Sequence, residues 1–409
     1  MRDEIVRIVR KYCDCFCKRG AKCTILDYEF TVDTGAAKPI CCKTPSYGHY
    51  KSNNIMTQVE QLLDNDWITE CKQGSWGSMI VLAPKPHQEK VVDIQDFVWR
   101  MCVSYRGLNK VTKPFEYLIP RCDNAISSLD GGSGIIWIIC LDARQGYHQI
   151  FVRMMDREKL AFLAPNNVKC TFKVMPFGPK NAPAFYSCMM GHFKEEWNKL
   201  FIEELRSQTF IGSEPIRVTF SNDIFLGDRK LVSGTKTIID DVILWCGNIE
   251  CIFIYLECIC CVFLKYCFSF SLNKCSFIKP RVEYVGHDIT SDGNCPAQSK
   301  FNFINDWKLP TSGQSLFSFI GLVNFYHQYA PYFKICLQPL RKLNMKFYRK
   351  PIPVEEWTSE LRAIFQELKE NIVSSPVMAR FNPDRLTFLK TDWSAEGMGW
   401  ILMQPADDK

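Results

Sequence analysis

Three aspartates set among apolar residues constrain this 409-residue chain more than any other feature of its sequence. Asp142 ends the apolar run IIWIICLD, and Asp240 and Asp241 stand between the two apolar arms of TIIDDVILW, a pattern that predicts a β-hairpin. Carboxylates are rarely buried unless they are paired or bind a metal, and adjacent acids repel each other. We therefore expect a cationic partner, and Mg²⁺ suits one or two carboxylates combined with substrate phosphates. A solvated turn is the alternative.

The composition is that of an ordinary globular protein. Apolar residues make up 47% of the chain and charged residues 23%, which excludes a disordered chain, a collagen-like fibre and a coiled-coil rod. Fifty Lys and Arg residues against 44 Asp and Glu residues give a net charge of +6, which permits a nucleic-acid partner without requiring one. The 21 cysteines are scattered through apolar runs, so we expect reduced thiols in an intracellular protein.

The most membrane-like segment is the apolar run at residues 249–270. Glu250, Glu257 and Lys265 interrupt it, and its charge-free stretches fall short of the ~18 apolar residues of a membrane span. We therefore predict a buried or half-buried helix there and no membrane partner. The charged, amphipathic N-terminal sequence is not that of a secretory signal peptide.

The spacing of apolar residues predicts the elements around the aspartates. Strands are predicted at 78–86, 98–103, 135–142 and 147–152, a second hairpin at 281–293, and helices at 56–67, 181–205, 314–329 and 358–373, the last with Thr358 as N-cap. Glycines at 131–134 predict a break. Residues 207–236 carry few periodic signals.

Collinear motifs along the chain resemble one protein family. LDARQGYHQI (141–150), VMPFGPKNAPAF (174–185) and IIDDVIL (238–244) occur in the order seen in the reverse transcriptases of gypsy-type LTR retrotransposons. The resemblance extends to a fingers strand, a primer-grip region, a thumb or connection segment and the opening of a ribonuclease H domain, at residues 99–110, 274–293, 317–333 and 388–402 respectively.

The resemblance implies an α+β, right-hand polymerase fold of fingers, palm and thumb, with an antiparallel palm sheet and a truncated ribonuclease H-like start. The implied segments are an N-terminal arm at 1–55, fingers with part of the palm at 56–134, palm at 135–295 with a fingers segment at 153–180 and an insert at 207–236, thumb or connection at 296–350, and a ribonuclease H-like segment at 351–409. Asp392 resembles the first ribonuclease H carboxylate, but only 17 residues follow it, so we expect no ribonuclease H activity.

Specific residues match the family's motifs. Asp142, Asp240 and Asp241 match its catalytic, metal-binding aspartates, which implies two Mg²⁺ ions, with Mn²⁺ as an alternative. The implied nucleotide-binding residues are Arg100 for the triphosphate, Tyr147 as the gate against a ribose 2′-hydroxyl, and Phe177 and Gly178 for the pocket. Lys85 or Lys90 is a candidate for a second phosphate contact. The implied primer-binding residues are Tyr284, Val285 and Gly286.

The resemblance implies an RNA-directed DNA polymerase that adds dNTPs to a primer 3′ end on an RNA or DNA template, in a cytoplasmic virus-like particle or the nucleus. The alternative is a catalytically inactive nucleic-acid-binding remnant. Three features favour the alternative: Ile238 replaces the family's tyrosine, Asp142 and Asp240 are 98 positions apart, longer than usual, and the ribonuclease H-like end is truncated. The surplus at 207–236 is either a surface loop beside the palm or a frame error.

Two weaker motifs indicate other functions. The FTVDTGA stretch around Asp33 is similar to the active-site turn of aspartic proteases, but the chain continues directly into the fingers without a flap. Cys13, Cys15, Cys17 and Cys23 are close enough to suggest a zinc site. Their spacing is not that of a zinc knuckle and no histidine is nearby, which favours an amphipathic segment with incidental thiols.

Overall fold

The structure is a computed structural model. It describes residues 1–16, 25, 27–43, 46–71, 74–84, 98–119, 137–290, 293–329, 333–374, 378–379, 386–394 and 397–405. The glycine break expected at 131–134 and the candidate phosphate contacts Lys85 and Lys90 lie outside these residues.

The helices and strands within the described residues have the following bounds. The helices are α1 (Arg2–Lys11), α2 (His49–Asp64), α3 (Arg106–Val111), α4 (Ala182–Ser207), α5 (Ile249–Lys265), α6 (Gln298–Asn305), α7 (Gly313–Phe325), α8 (Phe333–Lys346) and α9 (Ser359–Val373). The strands are β1 (Glu29–Phe30), β2 (Ile68–Glu70), β3 (Ser78–Pro84), β4 (Trp99–Ser104), β5 (Trp137–Asp142), β6 (Phe151–Val152), β7 (Phe162–Leu163), β8 (Lys169–Phe172), β9 (Phe210–Ile211), β10 (Glu214–Val218), β11 (Ile224–Leu226), β12 (Arg229–Lys230), β13 (Ser233–Ile238), β14 (Asp241–Cys246), β15 (Ser276–Lys279), β16 (Arg281–Tyr284), β17 (His287–Thr290), β18 (Gly293–Pro296), β19 (Met378–Ala379), β20 (Phe388–Ser394) and β21 (Gly397–Met403).

An antiparallel sheet in the order β13–β14–β5–β15 forms the palm. The hairpin predicted around the paired aspartates is confirmed as β13 and β14. Side chains alternate between the two faces of a strand, so Val242 and Leu244 join one core while Ile243 and Trp245 join another. Burial on both faces explains why these strands read as nearly continuous apolar runs.

Helices α4 and α5 cover the first face of the palm sheet. The apolar run at 249–270 forms α5, whose start is capped by the Asn248 side chain accepting from the backbone N–H groups of Glu250 and Cys251. Its buried face packs against α4 through ring pairs such as Trp197 with Phe263. The predicted buried helix is confirmed, and no helix in the described part of the chain is long and apolar enough to span a membrane.

The second palm face packs against the sheet β16–β17–β18–β19. Val282, Tyr284 and Ile289 of this sheet share a buried cluster with Ile243 and Trp245 of the palm. The hairpin predicted at 281–293 is confirmed, and β16 and β17 form its arms.

The fingers contain a five-stranded sheet in the order β2–β8–β7–β3–β4. The strands predicted at 78–86 and 98–103 are confirmed as the antiparallel pair β3 and β4. The strand predicted at 147–152 is wrong for its first part, because Gly146–Gln149 forms a 3₁₀ turn and only Phe151–Val152 is extended. The backbone turns there because the buried Gln149 amide bonds the carbonyl oxygens of Arg144 and Ser269, at 2.8 and 3.0 Å.

Helices α6 to α8, in the segment predicted as thumb or connection, form one helical cluster with α9, which lies in the segment predicted as ribonuclease H-like. The predicted helices at 314–329 and 358–373 are confirmed as α7 and α9, and Thr358 caps α9 by accepting from the Leu361 N–H at 3.2 Å. Phe365 and Leu368 of α9 lie in the same buried cluster as Phe319 of α7. The boundary expected at residue 350 therefore does not separate two hydrophobic cores.

Residues 207–236 fold as strands, in contrast to the surface loop that we considered. Strands β9 to β12 form an antiparallel sheet, and the last residues of the segment begin the palm strand β13. Ile211, Ile224 and Leu226 are buried in the same core as the palm helices. Strands of two to five residues are too short to produce a clear alternating pattern, which explains the weak sequence signal.

The N-terminal segment is part of the central core. Phe30 and Val32 are buried, and β1 pairs with β6. Asp156, with only 1% of its surface exposed, accepts hydrogen bonds from Val32 N–H and Arg153 Nε at 3.2 and 2.9 Å. Lys159 Nζ bonds Asp156 at 2.8 Å and the Val32 carbonyl oxygen at 2.6 Å. Asp156 and Lys159 thus hold both polar groups of the Val32 backbone.

Replacing Asp156 with alanine should destabilise the fold by about 3 kcal/mol or more, because it leaves two cations and a buried N–H without their acceptor. Urea unfolding measures the effect. The matched control is Asp223→Ala, which removes an exposed pair with Lys230 at 2.7 Å and should cost less than about 1 kcal/mol. Equal losses in the two variants would contradict the buried-clamp interpretation.

Candidate active site

Strand register brings the three predicted aspartates together. Asp142, the last residue of β5, lies directly opposite Asp241, the first residue of β14. Asp240 occupies the two-residue turn between β13 and β14, and its carbonyl oxygen accepts from the Ala143 N–H at 3.0 Å. Ile239, the other turn residue, has a φ of +50°, which is strained for a β-branched side chain. The backbone therefore converges the acids at one end of the palm sheet.

Two of these carboxyl groups are hard to ionise in the folded protein. Burial, reinforced by the carboxylates of Asp142 and Asp240, raises the pKa of Asp241 to about 6. Burial also raises the pKa of Asp240, and the neighbouring Tyr186 hydroxyl opposes that rise. The site thus concentrates negative charge at an energetic cost, which is expected where a cation is to be bound.

Two protein groups that sequence reasoning did not identify lie beside the carboxylates. Lys274 Nζ lies 3.2 Å from Asp142 Oδ1. Tyr186, a fully buried residue of α4, places its hydroxyl beside Asp240 and close to Gly146. A lone glycine in a turn indicates that another group packs closely against the backbone, so Gly146 could have been identified from the sequence. Lys274 and Tyr186 were not, since they reach the site only through tertiary packing.

A cleft of about 1030 Å³ lies over this end of the palm. Asp142, Asp240 and Lys274 line it from the palm, and the predicted nucleotide-binding residues Arg100, Phe177 and Gly178 line it from the fingers side. Tyr147 is not among the lining residues and is 5% exposed, since its ring stacks under Phe177 with centroids 4.8 Å apart. The structure places Tyr147 one layer behind the cleft surface, so its gate role stays a prediction.

Two aromatic residues that we did not predict add a wall to the cleft. His148 packs against Trp67 in a tilted arrangement with ring centroids 4.5 Å apart, and it meets Phe177 edge-on at 5.5 Å. Burial lowers the pKa of His148 to about 4, so the ring is neutral near pH 7. The wall is therefore aromatic and uncharged beside the acidic floor.

The predicted primer-grip residues form the tight turn between β16 and β17. Val285 and Gly286 have φ values of +48° and +77°, and Tyr284 is buried against the palm sheet. Tyr326, the residue directly after α7, donates its hydroxyl to the Gly286 carbonyl oxygen at 2.9 Å, which ties the turn to the helical cluster. The turn is present as expected, and its contact with a primer stays a prediction.

The protease and zinc motifs gain no support. Asp33 is exposed, pairs with Lys113 at 3.0 Å and accepts from the Gly35 N–H at 2.8 Å, so it forms a local turn. Cys15 is buried and donates to the Cys260 carbonyl oxygen at 3.4 Å, while Cys17 and Cys23 lie outside the described residues.

Family comparison agrees with this geometry. Residues 94–289, which contain all three aspartates, match the model of the reverse transcriptase (RNA-dependent DNA polymerase) family. The chain carries a reverse transcriptase domain. Residues 357–409 match the RNase H-like domain found in reverse transcriptases, and there β20 and β21 form an antiparallel pair with Asp392 on β20.

Relatives of the reverse transcriptase domain include transposon polyproteins. The chain is 28% identical over 309 residues to the Transposon Tf2-3 and Tf2-4 polyproteins of Schizosaccharomyces pombe, an alignment covering 76% of this chain and 20% of each relative. The chain thus spans about a fifth of the length of these curated relatives. The resemblance to gypsy-type LTR retrotransposons is confirmed.

Solved structures with a similar fold include the dRH form of the foamy viral protease-reverse transcriptase in complex with double-stranded DNA. That match has a TM-score of 0.77 and 16% identity, and it covers 98% of this chain and 62% of the other. The same viral protein in complex with an RNA/DNA hybrid matches with a TM-score of 0.75 over 96% of this chain and 46% of the other. The expected right-hand polymerase fold is confirmed.

Reverse transcriptases use divalent metal ions, and the donor set of this domain fits such an ion in its chemistry. Carboxylate oxygens are the ligands that Mg²⁺ prefers, and three acids share this end of the sheet. Among the described side chains, however, no group of three or more acidic, His or Cys residues is arranged to hold a metal. The Lys274 ammonium lies 3.2 Å from Asp142 Oδ1, and the Tyr186 hydroxyl lies beside Asp240.

Gly146 is required by the packing of this reverse transcriptase site. A Cβ at this position would lie 2.3 Å from the Tyr186 hydroxyl and 2.5 Å from Asp240 Oδ1, so Gly146→Ala should destabilise the protein by about 1–3 kcal/mol. Urea unfolding measures this. In contrast, Gly321→Ala meets nothing within 4 Å inside α7 and should stabilise the protein by about 0.5–1 kcal/mol. A neutral Gly146→Ala variant would show that the contact is absent.

Asp241→Asn should stabilise the metal-free domain at pH 8. The folded-state pKa of Asp241, about 6, exceeds the unfolded value of about 3.9, so its contribution to stability falls as pH rises through this interval. In EDTA we expect a gain of about 2 kcal/mol at pH 8 and almost none at pH 4. Urea unfolding at both pH values checks this.

The same variant reports on cation binding without an activity measurement. Added Mg²⁺ should raise the thermal midpoint of the wild type more than that of Asp241→Asn, because binding to the folded state stabilises it. A pH-independent gain, or an equal Mg²⁺ effect on both proteins, would contradict the acidic-cluster interpretation.

Proposed function

We propose that this chain is an RNA-directed DNA polymerase that extends a primer 3′ end with dNTPs in the presence of two Mg²⁺ ions. The observation that carries the proposal is the register that sets Asp142 opposite Asp241 with Asp240 in the adjoining turn. Asp142 and Asp240 lie on the floor of a cleft whose fingers side carries the exposed Arg100. Acids below and a guanidinium above are complementary to a metal-bound triphosphate.

In this proposal each residue of the cleft has a specific role. Asp142 and Asp240, which line the cleft, together with Asp241 opposite Asp142, would hold the divalent ions once Lys274 has moved from Asp142. Bound ions in such a site supply charge stabilisation for attacking and leaving oxygens. Arg100 would bind the triphosphate, and Phe177, supported from below by Tyr147, would contact the incoming nucleotide. The foamy viral relatives are bound to DNA or to an RNA/DNA hybrid, which supports a template–primer partner held mainly through phosphates.

The inactive-remnant alternative loses part of its basis. Ile238 is buried at 8% exposure in the cluster that contains Ile243 and Trp245, so an aliphatic residue maintains the packing beside the aspartates. The long segment between Asp142 and Asp240 is a folded sheet with buried apolar residues. Both observations favour an intact palm.

Primer extension tests the proposal directly. On poly(rA)/oligo(dT) with dTTP, the wild-type protein should show Mg²⁺-dependent extension, and Asp240→Asn should reduce the rate by at least about 100-fold because a ligand of the charge-stabilising ions is lost.

Asp33→Asn is the matched control, since it alters an exposed carboxylate outside the cleft and should extend primers at the wild-type rate. If folded wild-type protein binds the template–primer but shows no Mg²⁺-dependent extension, the remnant alternative is correct. Peptide cleavage that is lost in Asp33→Asn would instead revive the protease interpretation.

A further inference from the structure

A second cleft, of about 730 Å³, lies between α4, the small sheet at 207–236 and the edge strand β13. Lys194 and Lys199 line it from α4, and Lys236 lines it from β13. Arg206 also lines it and is bonded to the Thr219 carbonyl oxygen and Asn222 Oδ1. The acidic lining residues are Glu195 and Glu203, both exposed, so four basic groups face two acidic ones.

Lys194 and Lys236 form an unusual pair within this cleft. Both side chains are half-buried, and neither has an ion-pair or hydrogen-bond partner among the described residues. Both lysines line the same cleft; burial lowers the pKa of Lys194, the charge of Lys236 lowers it further, and the charge of Glu195 opposes the shift. A bound anion would relieve the repulsion between two half-buried positive charges that share one cleft.

The orientation of a neighbouring amide adds a hydrogen-bond donor. The Trp197 indole N–H can only donate, and it bonds Thr235 Oγ1 at 3.1 Å. Thr235 in turn donates to Asn198 Oδ1 at 3.4 Å, and the Tyr255 hydroxyl also bonds that oxygen. Because the amide oxygen is occupied, the Nδ2 group of Asn198 is the part left for a ligand in the cleft.

We propose that Lys194, Lys236 and Asn198 form a binding site for a phosphate-bearing anion, separate from the polymerase cleft. Two ammonium groups and one amide N–H₂ supply donors only, which selects an acceptor-rich anion. The volume is within the range of small-ligand pockets and exceeds the need of a single phosphate. A polyphosphate of a free nucleotide and the phosphodiester backbone of a nucleic-acid strand share this chemistry.

Binding of inorganic tripolyphosphate in EDTA tests the site. EDTA removes the divalent ions through which tripolyphosphate could otherwise bind at the palm aspartates. By calorimetry, Lys194→Gln and Lys236→Gln should each weaken binding about tenfold, as expected for loss of one charge-assisted hydrogen bond. Lys265→Gln is the matched control, since Lys265 is ion-paired to Glu196 outside the cleft and should bind as the wild type does. The proposal would be overturned if the wild-type protein did not bind tripolyphosphate, or if all three variants lost the same amount of affinity for it.

Labelling gives a second readout that does not depend on the variants folding. Pyridoxal 5′-phosphate followed by borohydride should modify Lys194 of the wild-type protein in preference to Lys265, and tripolyphosphate should protect Lys194. Protection by a single-stranded oligonucleotide as well would identify a nucleic-acid strand as the ligand, and protection by tripolyphosphate alone would identify a free polyphosphate. Labelling of Lys194 that neither anion reduces would refute the site.

Discussion

The like-charge contact between Asp142 and Asp241 is the constraint on which the rest of the structure depends. Their direct cross-strand pairing opposes folding, because like charges opposite each other in a sheet repel. The sheet compensates through burial of both faces, with helices α4 and α5 on one side and the β16–β17 hairpin on the other. The apolar character of β5 and β14 is therefore a requirement of placing acids at their ends.

The same constraint explains the groups that surround the acids. Lys274 neutralises part of the charge from the solvent side, while Tyr186 meets Asp240 from the buried side. Gly146 lacks a side chain because Tyr186 and Asp240 fill the space that a Cβ would need. Buried carboxyl groups with shifted pKa values, crowded by protein groups, are typical of binding sites.

The fold was largely predictable because its strongest signals are local. Acids within apolar runs predicted the β13–β14 hairpin, and Thr358 predicted the start of α9. The failures arose where tertiary contacts determine the backbone. Gln149 turns the chain through bonds to Ser269, more than a hundred positions away, and no local pattern indicates this. The strands at 207–236 are too short to show periodicity, so only their burial against the palm reveals them.

The same distinction between local sequence signals and tertiary contacts applies to the candidate site. Its three aspartates could be named from sequence because motif residues sit at strand ends, where register converges them. Tyr147 shows the limit, since its ring stacks beneath Phe177 and reaches the cleft only through that neighbour. The gate role of Tyr147 stays a prediction, and in the stack it is Phe177 whose ring is exposed. A sequence motif identifies the candidate site residues, whereas only the packing shows which of them lines the cleft.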